Sequence, residues 1–430
     1  SRPRRTPMRR IRGFGRDTFA SLSNPNYRLY FAGQSISMIG TWMQAIAQSY
    51  LVFTITDSGT SVGLVVALQT LPVMLLGPYG GVVADRVDKR RLTILLQAFM
   101  GIQALVLGLL AVTHVVRLWE VCVLAVILGL NNTFENPARQ SFILEMVGPD
   151  HLRNAVTLNS VMVNVARAVG PAAAGLIINA GGLGICFLVN AASFVAVIAS
   201  LLRMDVAALS PSVPAPRERG QVMAGLRYVR GEVGLAVPLL MMAIVGCLTY
   251  EFQVTLPVVA SRAFDGGART YGFMTAAMGV GAVVGGLYAA ARGKTGLATM
   301  VRSAAIFSVL LAAAAVAPNL GLELAALTLV GAASVTFISK GNSTLQLAAA
   351  PQMRGRVMSL WAVAFLGSTP IGGPIAGAVS QHIGARWGLG LGALACVVAA
   401  ALGALAVRRV RSANVVLRGG APHEAAASKA

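Results

Sequence analysis

Apolar residues fill this chain in long blocks rather than in the alternations of an amphipathic helix or a half-buried strand. The blocks cover about 29–54, 60–84, 92–113, 119–138, 155–179, 183–202, 236–260, 271–291, 300–317, 321–345, 357–380 and 387–407. A helix rises about 1.5 Å per residue, so roughly 20 residues cross the ~30 Å hydrocarbon core. Backbone groups in lipid must be satisfied within their own segment, so each block predicts a helix. The pattern predicts an all-α membrane protein with twelve transmembrane helices.

Composition agrees. Of 430 residues, 56% are hydrophobic and 12% charged, whereas a soluble domain carries about a quarter charged residues. Soluble classes are excluded, and no length remains for a large soluble domain. The net charge of +20 would suggest nucleic acid in a soluble chain. Here the basic residues collect between alternate blocks, where they hold loops against an anionic leaflet. No nucleic-acid partner is expected; the bilayer is the partner. With both termini and the even-numbered loops on the cytoplasmic side, 30 Lys and Arg lie inside and 4 outside (Arg117, Arg262, Arg269 and Arg386), with Arg167 inside a helix. That asymmetry predicts cytoplasmic termini. Residues 1–26 read as a basic cytoplasmic tail, since no apolar stretch with a cleavage site follows the arginines closely.

The stretch 205–221, DVAALSPSVPAPRERGQ, is the one Pro/Ser/Arg-rich linker, and it separates two similar halves. Gly80-Gly81 through Arg86 corresponds to Gly285-Gly286 through Arg292, Thr133-Phe134 to Thr336-Phe337, and Gly170-Pro171 with Gly175 to Gly373-Pro374 with Gly377, all at offsets near 203. The expected organisation is a six-helix bundle over 27–203, a cytoplasmic linker over 204–235, a second six-helix bundle over 236–407 and a cytoplasmic tail over 408–430. Pseudo-symmetric bundles of this kind place a substrate path between them near mid-membrane.

The loop GGVVADRVDKRR resembles the G-x-L-A-D-R-x-G-R-K signature of the major facilitator superfamily. Gly81, Ala84, Asp85, Arg86, Lys89 and Arg90 match it, and Asp88 stands where the family has its second glycine. Residues 133–171, with LRYVRGEVGLAVPLL and TYEFQVTLPV, resemble the drug:proton antiporter branch known as transmembrane secretion effectors, which holds bacterial macrolide and enterobactin exporters. The resemblance runs from about Pro25 to Val407. It implies the major facilitator fold, a bacterial inner membrane, alternating access, and export of a small amphipathic compound (a drug or siderophore-like molecule) by proton antiport, the chain working as a monomer. The alternative is a carrier of the same fold that moves a lipid or metabolite, inward or outward. The resemblance also implies a cytoplasmic latch at Gly81, Asp85, Arg86 and Arg90. Arg167, Gly170, Pro171 and Gly175 resemble a partial antiporter motif, with Ala166 near the place of its upstream glycine.

Several polar residues in the blocks are candidates on physical grounds. Glu251 is the most deeply placed acid without a basic neighbour in sequence, and a carboxyl that can be neutral or charged within the membrane suits proton coupling; a hydrogen-bonded structural acid is the other reading. Glu120 and Glu323 fall near helix ends, where water is expected to reach them. Glu135 is a second proton candidate, but Arg139 one turn away can pair with it. Arg139 could instead reach Asp85, making it a latch residue. Pro137 between them is expected to bend or end the helix. Arg167 is the deepest cation, expensive in hydrocarbon and so a functional candidate. Gln34, Trp42, Gln44, Gln48, Tyr50, Gln69 and Asn131 suit a cavity for an amphipathic substrate, or equally interhelical glue. The four cysteines and four histidines are scattered and fit no metal spacing. RGKTG at 292–296 lacks the first glycine of a phosphate loop, Tyr288 standing there. No cofactor and no enzyme activity are expected.

Overall fold

The computed structural model describes residues 20–210, 221–291 and 295–419. The side chains of Gly81 and Asp85, most of the basic tail and residues 211–220 of the linker lie outside the described residues. The chain is almost wholly helical: α1 (Pro25–Thr56), α2 (Gly59–Arg86), α3 (Lys89–Val112), α4 (Leu118–Gly181), α5 (Leu183–Leu202), α6 (Gln221–Arg230), α7 (Val233–Thr249), α8 (Phe252–Phe264), α9 (Ala268–Ala291), α10 (Leu297–Ala315), α11 (Leu320–Ala348), α12 (Arg354–Leu366), α13 (Thr369–His382) and α14 (Trp387–Gly419).

Ten stretches among the described residues are long and apolar enough to cross a membrane. One is the 64-residue α4, which turns back at Gly148 and so crosses twice. Two others join α7 with α8 and α12 with α13. Adding the more polar, 32-residue α1 gives the twelve crossings expected. Polar caps set the ends: Asn24 accepts from the N–H groups of Asn26 and Tyr27, Ser58 from Ser61, Asp88 from Arg91 and Asn319 from Leu322. Asp88 sits at φ −58°, so the turn of the 80–90 motif needs no glycine there.

The start of α1, the end of α14 and the described turns at 86–89, 148 and 203–210 lie at one end of the bundle, here the tail end. The turns at 57–58, 113–117, 182, 265–267, 316–319 and 383–386 form the far end.

Three blocks fold differently from expectation. No loop interrupts 139–153: α4 runs on through Pro137 and changes direction only at Gly148, at φ +70°, with Pro149 opening the next arm, where its missing N–H costs nothing. Glu135 and Arg139 therefore lie within a helix, not at its end. The 236–260 block breaks at Tyr250–Glu251. Pro257 in α8 cannot donate to the Gln253 carbonyl, which Tyr271 Oη approaches instead at 3.5 Å. The 357–380 block breaks at Gly367–Ser368, because the Pro370 ring would crowd the Leu366 carbonyl.

Candidate functional site

Helices α1–α5 pack as one group and α7–α14 as another; they meet along α2 with α13 and along the second arm of α4 with α9. Glycines make both seams close. A Cβ on Gly59 would fall 3.0 Å from the Gly377 carbonyl, and Gly63 is similarly pressed on Gly373. In the second seam, a Cβ on Gly175 would lie 3.1 Å from the Ala268 carbonyl, and one on Gly272 would lie 2.5 Å from that of Pro171. Gly170 instead fits α4 onto α1 beside Trp42 and Ile39. The helix resembling an antiporter motif thus forms part of the boundary between the halves.

The seams extend from the far-end turns to Gly279 on α9 and Met74 on α2, where Gly279 packs on the Arg167 carbonyl and Gly367 on Met74. At the far end itself, Arg262 of α8 reaches across to Asp57 of the α1–α2 turn. It makes a 3.3 Å ion pair and donates to the Asp57 carbonyl at 2.9 Å. Gln381 of α13 accepts from the Gly59 N–H at 3.0 Å. Sequence reasoning missed this clasp. Its partners are 205 residues apart, and Arg262 was counted only toward topology.

Glu251 sits in the break between α7 and α8. It is 3% exposed, and its carbonyl accepts from Val254 and Thr255 to start α8. Its carboxyl lies over Gly372 and Gly373 with Thr369 in hydrogen-bonding reach, and Oε1 has no partner. Two helix breaks therefore meet at one acid. A Cβ on Gly373 would meet the Gly63 carbonyl of the other half at 3.0 Å and Glu251 Oε2 at 3.5 Å, so the carboxyl lies beside the seam. Beside it, the Tyr250 ring packs edge-on against Phe365 at 5.1 Å and its hydroxyl donates to the Ser334 carbonyl at 2.8 Å.

Glu323 corrects an expectation. Although it lies in the first turn of α11, it is fully buried and neither carboxylate oxygen has a partner. It joins Glu251 as an acid removed from water.

The two buried acids among the described residues of the N-terminal half are paired. Glu135 meets Arg139 at 3.1 Å, and Arg139 also donates to Asn159 and Asn136, each at 3.2 Å. Lys89 meets Glu145 at 2.7 Å, both buried; this pair had also gone unnoticed. Arg90 donates to the carbonyls of Leu201 and Leu202, closing the end of α5 within its own half, and Arg86 is exposed. The expected contact of Asp85 falls outside the described residues.

The polar candidates on the inner helices divide. Gln44 donates to Gln103 at 2.7 Å and accepts from Asn190 at 2.6 Å, and Gln48 donates to Gln69 at 3.1 Å, which is interhelical glue. Gln34 is buried with Oε1 unpartnered, and Asn131 has an unpartnered Nδ2. Tyr50 Oη lies 3.4 Å from where a Cβ on Gly267 would stand, across the halves. The Arg167 guanidinium lies 5.0 Å from the Trp42 ring centroid and its Nε is unpartnered. The boundary therefore offers a cation on an aromatic face, a worthwhile contact once desolvated.

The chain matches the family model for transmembrane secretion effectors over residues 16–425. The enterobactin exporter of Shigella boydii is 26% identical over 389 residues, 88% of each chain. A staphyloferrin A transporter of Staphylococcus aureus is 22% identical over 263 residues, 60% of this chain and 65% of that one. An uncharacterised MFS-type transporter of Bacillus subtilis is 27% identical over 240 residues, 55% of this chain. The matches thus span 65% and 56% of the length of the last two relatives. Among solved structures, a bacterial homolog of the human lysosomal transporter Spinster, inward-facing and unoccupied, superposes with TM-score 0.69 at 14% identity, covering 89% of this chain and 97% of that one. A bacterial homologue of the iron transporter ferroportin, also inward-facing, gives 0.67 at 14% identity, covering 89% and 98%. Composition, twelve crossings in two halves and these likenesses converge: the chain belongs to the transmembrane secretion effector family and is a multi-pass membrane transporter of the major facilitator fold.

Proposed function

We propose that this transporter exports a small amphipathic compound, siderophore-like or drug-like, in exchange for protons, and that one chain suffices because both seams close within it. The observation that carries the reading is the place of Glu251, buried at two helix breaks beside the seam between the halves, with Oε1 lacking a partner. Broken helices at the repeat boundary are where such carriers bind ions and substrate. The basic asymmetry puts the tail end in the cytoplasm. The closed seams and the Asp57–Arg262 clasp then face outward, and the space between the halves opens inward.

Parting the α2–α13 seam exposes Glu251 to the outside, where it takes a proton; closing it again returns the carboxyl to the inner side, where the proton leaves. Arg167 on Trp42 meets the polar part of the compound, and Gln34 and Tyr50 border the same space. Glu135 is the weaker proton candidate, since Arg139 holds its charge. Asp85, Gly81 and Arg86 serve the opposite closure, at the tail end. Named relatives that handle enterobactin and staphyloferrin A supply the first two compounds to try.

The test uses inside-out vesicles with an acidic lumen. The native protein accumulates one of the two compounds in the lumen. Glu251→Gln accumulates none beyond the no-gradient level, yet still exchanges the compound down its own gradient. Unchanged gradient-driven accumulation by Glu251→Gln overturns the role of that acid, and failure of both compounds in the native protein overturns the siderophore reading.

A further inference from the structure

Arg167 lies in the second arm of α4, about 28 Å along it from the Gly148 turn and about 21 Å short of Gly181, and so near mid-membrane. Both halves converge on it. Its guanidinium lies 5.0 Å from the centroid of the Trp42 ring of α1. A Cβ on Gly279 of α9 would lie 2.8 Å from its carbonyl. Tyr250, at the end of α7, stands within electrostatic reach of the charge. A Cβ on Gly170 would fall 2.6 Å from the Trp42 Cβ, so α4 also presses on the base of the aromatic platform and fixes its place.

This cation has no counter-charge. Arg167 forms no ion pair with a described acid and no hydrogen bond to a described residue. Glu251, the acid next to Tyr250, turns to Gly372 and Gly373 instead. Yet the arginine side chain is partly exposed. Only its Nε is enclosed without a partner. The two terminal nitrogens are accessible, and with Trp42 on one side and Tyr250 on the other, both partly exposed, their donors open on the space between the halves.

A mid-membrane cation is tolerable while water reaches it. Alternating access passes through a stage at which both ends are shut around the ligand. Water is then largely expelled, and an uncompensated guanidinium is expensive. The Trp42 face offsets part of that cost. A negatively charged ligand offsets the rest, and paired oxygens match the fork of the terminal nitrogens. A neutral ligand leaves the charge uncompensated, and a cationic one adds repulsion.

We propose that the compound this protein carries is an organic anion. Its oxyanion group, a carboxylate being the simplest, sits on the terminal nitrogens of Arg167, and its apolar body lies against Trp42 and Tyr250. The inference rests on the transporter reading and narrows its substrate class, so that neutral and cationic drugs are excluded from this site.

The experiment uses 4-bromobenzoate and 4-bromobenzamide, alike in shape and different in charge. Bromine quenches tryptophan fluorescence only near contact, so Trp42 reports occupancy with no gradient and no transport. The full chain carries Trp119→Phe, Trp361→Phe and Trp387→Phe, leaving Trp42 as the sole tryptophan, and sits in phosphatidylcholine vesicles. A second chain keeps only Trp119, 62% exposed at the far end, and reports partition into the bilayer. The readout is the amide's half-quenching concentration divided by the acid's. At Trp42 this ratio should exceed that at Trp119 by about ten-fold, as a charge-assisted pair gives. Arg167→Gln should bring it down to the Trp119 value, and Arg167→Lys, which keeps the charge without the fork, should leave it about three-fold above. A ratio at Trp42 no greater than at Trp119, or an unchanged ratio in folded Arg167→Gln, overturns the proposal. Proton-driven export can survive that result, and the anion site can survive failure of both siderophores in the export test, so the two readings fail separately.

Discussion

In the N-terminal half, Lys89 meets Glu145, Arg139 meets Glu135, and Asn190, Gln44 and Gln103 form one run of amide hydrogen bonds. In the C-terminal half, Glu251 and Glu323 are buried at least as deeply, yet three of their four carboxyl oxygens have no hydrogen-bond partner. The backbone follows the same division. The crossing formed by α1 is unbroken over 32 residues, whereas two crossings of the C-terminal half break at 250–251 and 367–368, side by side. A satisfied polar network rigidifies and specifies one packing. Acids without partners are expensive in hydrocarbon and persist where they have a task. On the proposed antiport reading, the first half serves as support and the second holds the proton site. Arg167 is the informative exception, unpaired by any acid in the N-terminal half and lying at the seam.

The comparison breaks if removing a partner has like effects in both halves. The largest effect on stability is expected from Lys89→Met, which removes the buried cation held against Glu145 and should cost about 3–5 kcal/mol. Denaturant unfolding measures it, and Lys89→Met with Glu145→Met together should recover most of the loss. Gln44→Leu strands Gln103 Oε1 and Asn190 Nδ2 and should cost about 1–3 kcal/mol by the same measurement. Glu323→Gln should stay within about 1 kcal/mol of the native protein, because neither oxygen has a hydrogen-bond partner to strand, while gradient-driven transport falls. A loss from Glu323→Gln as large as that from Lys89→Met would show that the two halves do not differ in this way.

Much of the fold was legible in the sequence, because hydrocarbon thickness and backbone satisfaction leave few alternatives to twelve helices. The halves were legible from three landmarks in one register. The breaks were not, although Pro370 was in view at the second: hydropathy is blind to a missing N–H, and both blocks read as continuous. Pro137 misled in the other direction, since neighbouring helices carry α4 straight through it. Glu251 stood out because depth and lack of basic neighbours are sequence properties. Glu323 did not, because its exposure depends on what packs around the first turn of α11. The Asp57–Arg262 clasp joins a left-handed turn residue at φ 45° to an arginine two hundred residues later, a pairing no local pattern encodes.

The smallest expected effect tests the boundary between the halves. Asp57 is 81% exposed in its side chain and Arg262 31%, so their pair adds at most about 1 kcal/mol to stability. Asp57→Asn should leave the unfolding midpoint nearly unchanged. That same small energy acts on a different equilibrium, because the pair exists only while the far end is closed. Losing ~0.5–1 kcal/mol from the closed state raises the open population about two- to five-fold. Thr60 lies in the α2–α13 seam, its Cα 3.1 Å from where a Cβ on Gly377 would stand. A Thr60→Cys reporter should therefore react with a membrane-impermeant thiol reagent added outside about two- to five-fold faster when Asp57→Asn is present. Arg262→Gln should do the same, and both changes together should add little beyond either alone, since they remove one contact. Additive acceleration would mean that the two residues hold the far end separately, and no acceleration would mean that the glycine seams close it without them.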